Sequence, residues 1–313
     1  MIIGLDVGGT KALGLLVDPA DGQVVARNQV SSHGDADALV ATLVDLVGSL
    51  EHAAGHTAAA LGLGIAGLVT VDGVVRYSPN LPALVEFPMA DRLAEALDRH
   101  VMAVNDATAG TWAESELGAG RGTDDLAYVA LGTGIGAGCV VAGRLVHGAN
   151  GFAGEVGHMV VEMDGPVHHT GQRGPWEYYA SGTALGRLGR EAAAAGRFPA
   201  GLAQVGTVDE LTGHHVVASL RAEDTDAMAV FDEFCRYVAI GLANLVMTFD
   251  PSLLVLGGGL TDIGEPLRAG VDYWLGQVTL GADHRPLPAV ALAACGPDAA
   301  ALGAALLATE GTR

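Results

Sequence analysis

The chain has 313 residues, 50% of them hydrophobic, so it can bury a large core and is expected to form one protein of two lobes. It carries 36 acidic and 16 basic residues. The resulting formal net charge of -20 repels a polyphosphate backbone, so we expect no nucleic-acid partner. Three distant cysteines without a CxxC pair predict neither a disulfide framework nor a cysteine zinc site.

The sequence opens on an apolar strand without a basic, cleavable leader, and no apolar run approaches the roughly 18 residues of a membrane span. We expect a soluble, cytoplasmic protein with no membrane partner.

Strands are predicted over 2–7, 12–17 and 24–30, with a Gly-Gly turn between the first two. Paired glycines permit a positive φ and close backbone approach, so N–H groups of the turn can hold an anion. Asp6 can hold the hydration shell of Mg²⁺, and Thr10 and Lys11 can add donors. The pattern predicts a phosphate-binding hairpin, with a turn of purely steric origin as the alternative.

The next elements form an α/β alternation. A helix begins near Asp35, a glycine-rich strand covers 61–67, a helix covers 91–100 and a buried strand covers 101–106. That strand ends at Asn105 and Asp106, before a helical stretch. Ligands bind at the carboxyl ends of strands in open α/β sheets, although such a pair is also typical of a helix N-cap.

The second half repeats the opening pattern with a strand over 126–131, a glycine-rich turn over 132–136 and a strand over 137–141. A long helix over 228–249 then leads to a strand over 252–259 that ends in three glycines, and 298–308 is a terminal helix. Two phosphate hairpins predict two lobes. The absence of a Pro/Ser-rich linker predicts a tight hinge between them.

Five segments together resemble the ROK family of bacterial sugar kinases: DVGGTK (6–11), VNDA (104–107), LGTGIGAG (131–138), Gly148 with GEVGH (154–158), and LGGG (256–259). The resemblance implies the α/β, two-lobed actin-like ATPase (ribonuclease H-like) fold with an interdomain cleft. We expect a small lobe of residues 1–110 plus 299–313 and a large lobe of residues 111–298. A homo-oligomer, dimer or tetramer, is also expected.

The resemblance implies the site residues as well. Asp106 is expected to be the general base that takes the proton of the attacking hydroxyl. The expected sugar contacts are Asn80, Asn105, Asp106, Glu155, His158 and Glu177. The expected ATP contacts are Asp6, Gly8, Gly9, Thr10, Lys11, Gly132, Thr133, Gly134, Gly257, Gly258 and Gly259, with Asp6 holding the Mg²⁺ of ATP through water.

One loop departs from the family. Many relatives carry C-x-C-G-x-x-G-C-x-E, whose cysteines bind a structural zinc with the preceding histidine, but here the cysteine positions hold His168, Thr170 and Pro175. We therefore expect no structural zinc, with Trp176 and neighbouring aromatic residues packing in its place. A three-histidine site formed by His158, His168 and His169 is the alternative.

Three functions compete. The first is an ATP- and Mg²⁺-dependent glucokinase that makes glucose 6-phosphate. The second is a kinase for N-acetylmannosamine, N-acetylglucosamine, fructose or allose. The third is a non-catalytic sugar sensor like the family's repressors, which is disfavoured by the acidic charge, by the absence of a preceding DNA-binding segment and by the presence of Asp6, Lys11 and Asp106.

Overall fold

The computed structural model describes residues 1–310, which form two compact units. The first contains Met1–Tyr128, Gly138–Gly154 and the described chain from Ala294 onward, and the second contains Val129–Ala137 and Glu155–Ala293. The predicted lobe division at 110/111 and 298/299 stays a prediction, and its last residues, 311–313, lie outside the described chain.

The strands fall mostly where the apolar runs predict them. They are β1 (Ile2–Val7), β2 (Lys11–Val17), β3 (Val24–Ser31), β4 (Leu61–Ile65), β5 (Leu68–Val69), β6 (Val75–Tyr77), β7 (Val101–Asn105), β8 (Leu126–Leu131), β9 (Ile135–Val141), β10 (Arg144–Leu145), β11 (Leu253–Gly257) and β12 (Ala289–Leu292). The small hairpin β5–β6 and strands β10 and β12 were not predicted.

The described chain contains ten α-helices. They are α1 (Ala36–Ala54), α2 (Met89–Leu97), α3 (Asp106–Glu116), α4 (Trp176–Ala180), α5 (Gly182–Ala194), α6 (Pro199–Leu202), α7 (Gly213–Arg221), α8 (Thr225–Phe249), α9 (Glu265–Val278) and α10 (Ala299–Glu310). Short 3-10 helices cover Val156–His158, Val208–Glu210, Gly259–Ile263 and Gly296–Asp298. Within residues 1–310, no helix combines the length and the apolar character needed to cross a membrane.

The first sheet has the strand order β3-β2-β1-β4-β7, antiparallel over β3-β2-β1 and parallel over β1-β4-β7. One face is covered by α1 through Leu43, Leu46 and Leu50. The alanine-rich α10 lies directly on the sheet, because a Cβ at Gly62 of β4 would come within 1.8 Å of the Ala304 carbonyl oxygen. The glycine in this strand is therefore needed for close helix packing.

The second sheet has the order β10-β9-β8-β11-β12. In the second unit the 25-residue helix α8 is the central buried helix. Trp176 is fully buried and donates its indole N–H to the Tyr237 carbonyl oxygen of α8 at 2.8 Å. Tyr179 stacks on Tyr237 with ring centroids 4.9 Å apart. Aromatic packing therefore fixes the end of the loop that departs from the family pattern.

Candidate active site

In the first unit, strand register brings the predicted polar residues to one edge of the first sheet. Val7 pairs with Ile65, and Ile65 pairs with Asn105, so the three parallel strands end in one row. The Gly8-Gly9 turn follows β1 and Asp106 follows β7. Parallel strands end at a common edge, where loops and helix N-termini meet a ligand. The edge therefore joins the predicted phosphate turn to the predicted general base.

The turn between β1 and β2 is held by one backbone hydrogen bond and one side-chain hydrogen bond. The Gly8 N–H donates to the Lys11 carbonyl oxygen at 3.0 Å, and the Ser32 hydroxyl donates to the Gly8 carbonyl oxygen at 2.7 Å. The predicted use of positive φ is wrong, because neither Gly8 nor Gly9 has one. Close approach is the reason for glycine here: a Cβ at Gly9 would lie 2.6 Å from the Asn80 carbonyl oxygen. The turn and Asn80 are therefore in contact.

Asn105 and Asp106 combine a structural and a possible chemical role. The Asn105 side chain caps α3 by accepting the Thr108 N–H at 3.0 Å, and its amide donates to the Gly67 carbonyl oxygen at 3.1 Å. Asp106 accepts the Ala107 N–H through Oδ1 at 2.8 Å. The N-cap interpretation is thus confirmed for Asn105. Its capping bond fixes the first turn of α3 and the position of the Asp106 carboxyl group.

Two neighbouring carboxyl groups at this edge, those of Asp6 and Asp106, have raised pKa values. Burial raises the pKa of Asp106 above its ordinary value, although backbone N–H groups that bond its carboxylate oppose the rise. Burial also raises the pKa of Asp6 to about 7, with a further rise from the Asp106 charge and an opposing effect of Lys11. Because two desolvated carboxylates repel each other, a cation beside them favours their ionised forms. The pair is suited to accept a proton and to sit near a hydrated divalent cation.

In the second unit, Glu177 lies against the glycine turn between β8 and β9. Its Oε2 accepts the Ile135 N–H at 2.7 Å, and its Oε1 lies 3.3 Å from His168 Nε2. A Cβ at Gly134 would come within 2.3 Å of Glu177 Oε2, so only glycine leaves room for this carboxylate. One predicted phosphate residue and one predicted sugar residue are therefore in direct contact.

His158 ends the 3-10 helix over Val156–His158, and its Nε2 lies 4.0 Å from Glu155 Oε2. Its Nδ1 lies 3.2 Å from Gln172 Oε1. The three residues His168, His169 and Glu177 place possible ligand atoms within 4.8 Å of one another. The predicted alternative of a site formed by His158, His168 and His169 does not match this group, which contains Glu177 in place of His158.

A cavity of about 720 Å³ in the second unit contains Gly132, Thr133 and Gly259 among its lining residues. The N-termini of α5 and α7 also line it, through Gly182-Thr183 and Thr212-Gly213-His214. The α5 start is tied to the turn because the Gly182 N–H donates to the Gly132 carbonyl oxygen at 2.7 Å. Helix N-termini carry partial positive charge and free N–H groups, so this cavity favours an anion.

Sequence reasoning missed several cavity residues, namely Thr183, Arg190, His214, Val217, Arg221 and Asp262. Arg221 donates to the Asp262 carbonyl oxygen at 3.0 Å and so joins α7 to the 3-10 helix after β11. Arg190 donates to the Leu211 carbonyl oxygen at 2.8 Å, just before α7. An N-cap signal such as Ser181 before α5 could have identified one helix N-terminus, since its side chain accepts the Ala184 N–H.

The predicted residues thus form three described groups. Asp6, the 8–11 turn, Asn80, Asn105 and Asp106 belong to the first unit. Gly134, Glu155, His158 and Glu177 belong to the second unit, as does the cavity group of Gly132, Thr133 and Gly259. Gly257 ends β11, and Gly258, with φ of 79°, leads into the 3-10 helix that carries Gly259.

Comparison with known proteins agrees with the fold. The model of the ROK family matches residues 2–311. A glucokinase of Streptomyces coelicolor is 33% identical over 318 residues, covering 99% of this chain and 98% of the relative. An N-acetylgalactosamine kinase of Shewanella sp. is 34% identical, covering 98% and 96%.

Among solved structures, a ROK family glucokinase from Streptomyces griseus in complex with glucose and AMPPNP is similar with a TM-score of 0.87 and 34% identity, covering 99% of each chain. Its likeness confirms the predicted mixed α/β fold of the actin-like ATPase class. The chain belongs to the ROK family.

Proposed function

We propose that this protein transfers the γ-phosphoryl group of ATP to the 6-hydroxyl of a hexose, with glucose as the preferred acceptor. Its class is that of the ATP-dependent sugar kinases, as the family match and the kinase relatives support. The identity of the acceptor sugar is the more specific part of the proposal. Glucose is favoured by the two glucokinases, whereas the N-acetylgalactosamine kinase favours an N-acetylhexosamine as the second candidate.

The observation that carries the proposal is the Asp106 carboxyl group at the N-terminus of α3. It lies at the sheet edge that also carries the phosphate turn, and burial raises its pKa. A carboxylate with raised basicity can take the proton of a hydroxyl as the new P–O bond forms. The electron pair of the old bond then leaves with ADP, so the products are the sugar phosphate, ADP and one proton.

Charge on the moving phosphoryl group needs fixed positive partners. Lys11, with Gly8, Gly9 and Thr10, would supply such donors, and we propose the same role for Gly132, Thr133 and Gly134 of the second glycine turn. A Mg²⁺ ion bound with ATP would neutralise phosphate charge, and the Asp6 carboxylate, whose pKa of about 7 an adjacent cation would lower, suits its hydration shell. The adenosine would occupy the cavity lined by Gly259, two helix N-termini and Arg221, with Gly257 and Gly258 directly before Gly259 in the chain.

For the sugar we propose contacts from Asn80, Asn105, Asp106, Glu155, His158 and Glu177. Each hydroxyl both donates and accepts, so a polyol needs several fixed acceptors as well as donors. Glu177 supplies two fixed oxygens because the Ile135 N–H holds one and the His168 ring lies beside the other. Glucose and an N-acetylhexosamine differ in the group at C2, so the space around C2 decides between them. The substrate test must measure this property.

We also propose that the loop holds without structural zinc. Thr170 is a poor zinc ligand and Pro175 is none. The remaining group of His168, His169 and Glu177 is already used, since both Glu177 oxygens and His168 Nε2 have partners within the protein. Stoichiometric zinc in metal analysis of the purified protein would overturn this part of the proposal.

The test measures ADP release with Mg-ATP on glucose, mannose, fructose, allose, N-acetylglucosamine, N-acetylgalactosamine and N-acetylmannosamine. The Asp106→Asn variant is the matched blank, because it keeps the shape of the side chain but cannot accept the proton. We expect turnover on glucose that is lost in the variant while calorimetry still detects sugar binding. Near wild-type turnover in the variant would refute the assignment of the base. Turnover on an N-acetylhexosamine alone would select the second candidate.

A further inference from the structure

Gln172 occupies a tight hairpin in the loop that departs from the family pattern. The His168 N–H donates to the Gln172 carbonyl oxygen at 2.7 Å, and the Gly171 N–H donates to the His168 carbonyl oxygen at 2.9 Å. An isolated β-bridge joins Val167 and Arg173 on either side. The Gln172 side chain contacts both the ring and the backbone carbonyl group of His158. The loop is thus tied to His158 by one amide group.

The orientation of that amide is determined by its partners. Gln172 Nε2 donates to the His158 carbonyl oxygen, which can only accept a hydrogen bond. A flipped amide would set two acceptors against each other, so Oε1 must face His158 Nδ1. Because Oε1 also only accepts, Nδ1 must carry the proton. In a neutral ring this leaves Nε2 as an acceptor.

His168 is arranged in the opposite sense. Its Nε2 lies 3.3 Å from Glu177 Oε1 in an ion-pair contact, which favours a proton on Nε2 because an ionised carboxylate only accepts. Its Nδ1 lies 3.0 Å from the Thr170 hydroxyl, which can donate to the unprotonated nitrogen. Thr170 and Glu177 therefore both favour the Nε2–H form of the His168 ring.

We propose that Gln172 and His168 are positioning residues, which hold His158 and Glu177 for a polyol substrate through hydrogen bonds and an ion-pair contact without metal. The inference rests on the proposed sugar kinase function and deepens it. In this arrangement His158 Nε2 is a hydrogen-bond acceptor, which fits a substrate hydroxyl group that donates one hydrogen bond.

The direct test is the tautomeric state of the rings in the wild-type protein. Long-range ¹H–¹⁵N NMR spectra at pH 8, with signals assigned through the variants His158→Gln and His168→Gln, distinguish the two neutral tautomers and the charged ring. We expect the Nδ1–H form for His158 and the Nε2–H form for His168. The reverse tautomer or a charged ring at either residue would overturn the inference.

Kinetics test the role in binding. Gln172→Ala removes the tie, and we expect the KM for the sugar to rise about tenfold, the equivalent of one hydrogen bond, with kcat within about twofold. Gln172→Glu keeps an acceptor for Nδ1–H but loses the donor to the carbonyl group, so it should recover only part of the affinity. Gln277→Ala is the matched control, because it removes an exposed glutamine side chain of α9. A lowered kcat with unchanged KM in Gln172→Ala would contradict positioning for the sugar.

Metal analysis tests the remaining explanation, which is a zinc site in this loop. Zinc that copurifies with the protein and is lost in His169→Ala would replace the hydrogen-bonded arrangement by a metal site and overturn the inference. If the two rings have the expected tautomers but the protein phosphorylates no sugar, the result counts against the proposed function. If the protein is an active kinase but the rings have other tautomers, the result counts against the inference alone. Since the NMR test uses the wild-type chain, a variant that fails to fold does not prevent the decision.

Discussion

The raised pKa of Asp6 predicts that ionisation of this one side chain destabilises the apo protein. Burial and the neighbouring Asp106 raise the Asp6 pKa from 3.8 to about 7. The folded state therefore binds this proton more tightly than the unfolded state. The stability it contributes is present below the unfolded pKa and is lost as pH rises through about 7. A difference of about three pH units corresponds to about 4 kcal/mol of unfolding free energy at this site.

Replacing Asp6 by asparagine removes the charge but keeps the side-chain shape. We expect the variant and the wild type to have similar unfolding free energies below about pH 4, the unfolded pKa. By pH 8 the variant should be more stable by up to about 4 kcal/mol, with most of the divergence between about pH 4 and pH 7. The measurement is urea unfolding at a series of pH values without Mg²⁺ or nucleotide, compared as a difference between variant and wild type.

The control is Asp45→Asn, which changes an exposed aspartate of α1 and the same formal charge. It should shift stability by less than about 0.5 kcal/mol at every pH, and so accounts for the general effect of net charge. A difference between Asp6→Asn and the wild type that stays constant with pH would refute the reasoning. A wild type that gains stability over its variant as pH rises would refute it as well.

Three further predictions follow from the site. If Asp106 is the base, kcat/KM should fall as the pH decreases, because protonation of Asp106 removes the proton acceptor. The midpoint of the fall should lie above the ordinary pKa of an aspartate, and a pH profile of the wild-type enzyme measures it. Gly134→Ala should raise the KM for the sugar about tenfold or more, since the methyl group displaces the Glu177 carboxylate, and unchanged steady-state kinetics would contradict that contact. Arg221→Met should raise the KM for ATP and leave sugar binding unchanged, because the cavity loses a cation and the hydrogen bond to the Asp262 carbonyl group. Kinetics and calorimetry measure both effects, and equal effects on ATP and on the sugar would argue against a nucleotide cavity.

Much of the fold is readable from local pattern. Strands β1 and β8 have the predicted bounds, because each is an apolar run closed by a glycine turn. The turn after β8 is shorter than predicted: β9 begins at Ile135, since Gly136 is accommodated inside the strand. The helices between residues 176 and 221 were not predicted. Three of these helices, α4, α6 and α7, have only 4 to 9 residues, and their positions depend on packing against α8.

Asp106 could be identified from sequence because two local rules meet there, a strand end and a helix start. The arginines of the cavity could not, since Arg190 lies inside one helix and Arg221 at the end of another, where a charged residue usually faces solvent. Only tertiary packing brings two such helices to the same glycine turn.

The loop around Gln172 shows the same limit most clearly. In the family pattern its position is variable, and attention falls on the cysteine positions now held by His168, Thr170 and Pro175. Hydrogen-bond partners cannot be read from such a list, because the contact of Gln172 with His158 joins residues 14 positions apart through a hairpin. Loss of the cysteines removes zinc ligands, but it does not remove the need to hold His158 and Glu177. A glutamine at a variable position can meet that need, since one amide supplies both a donor and an acceptor.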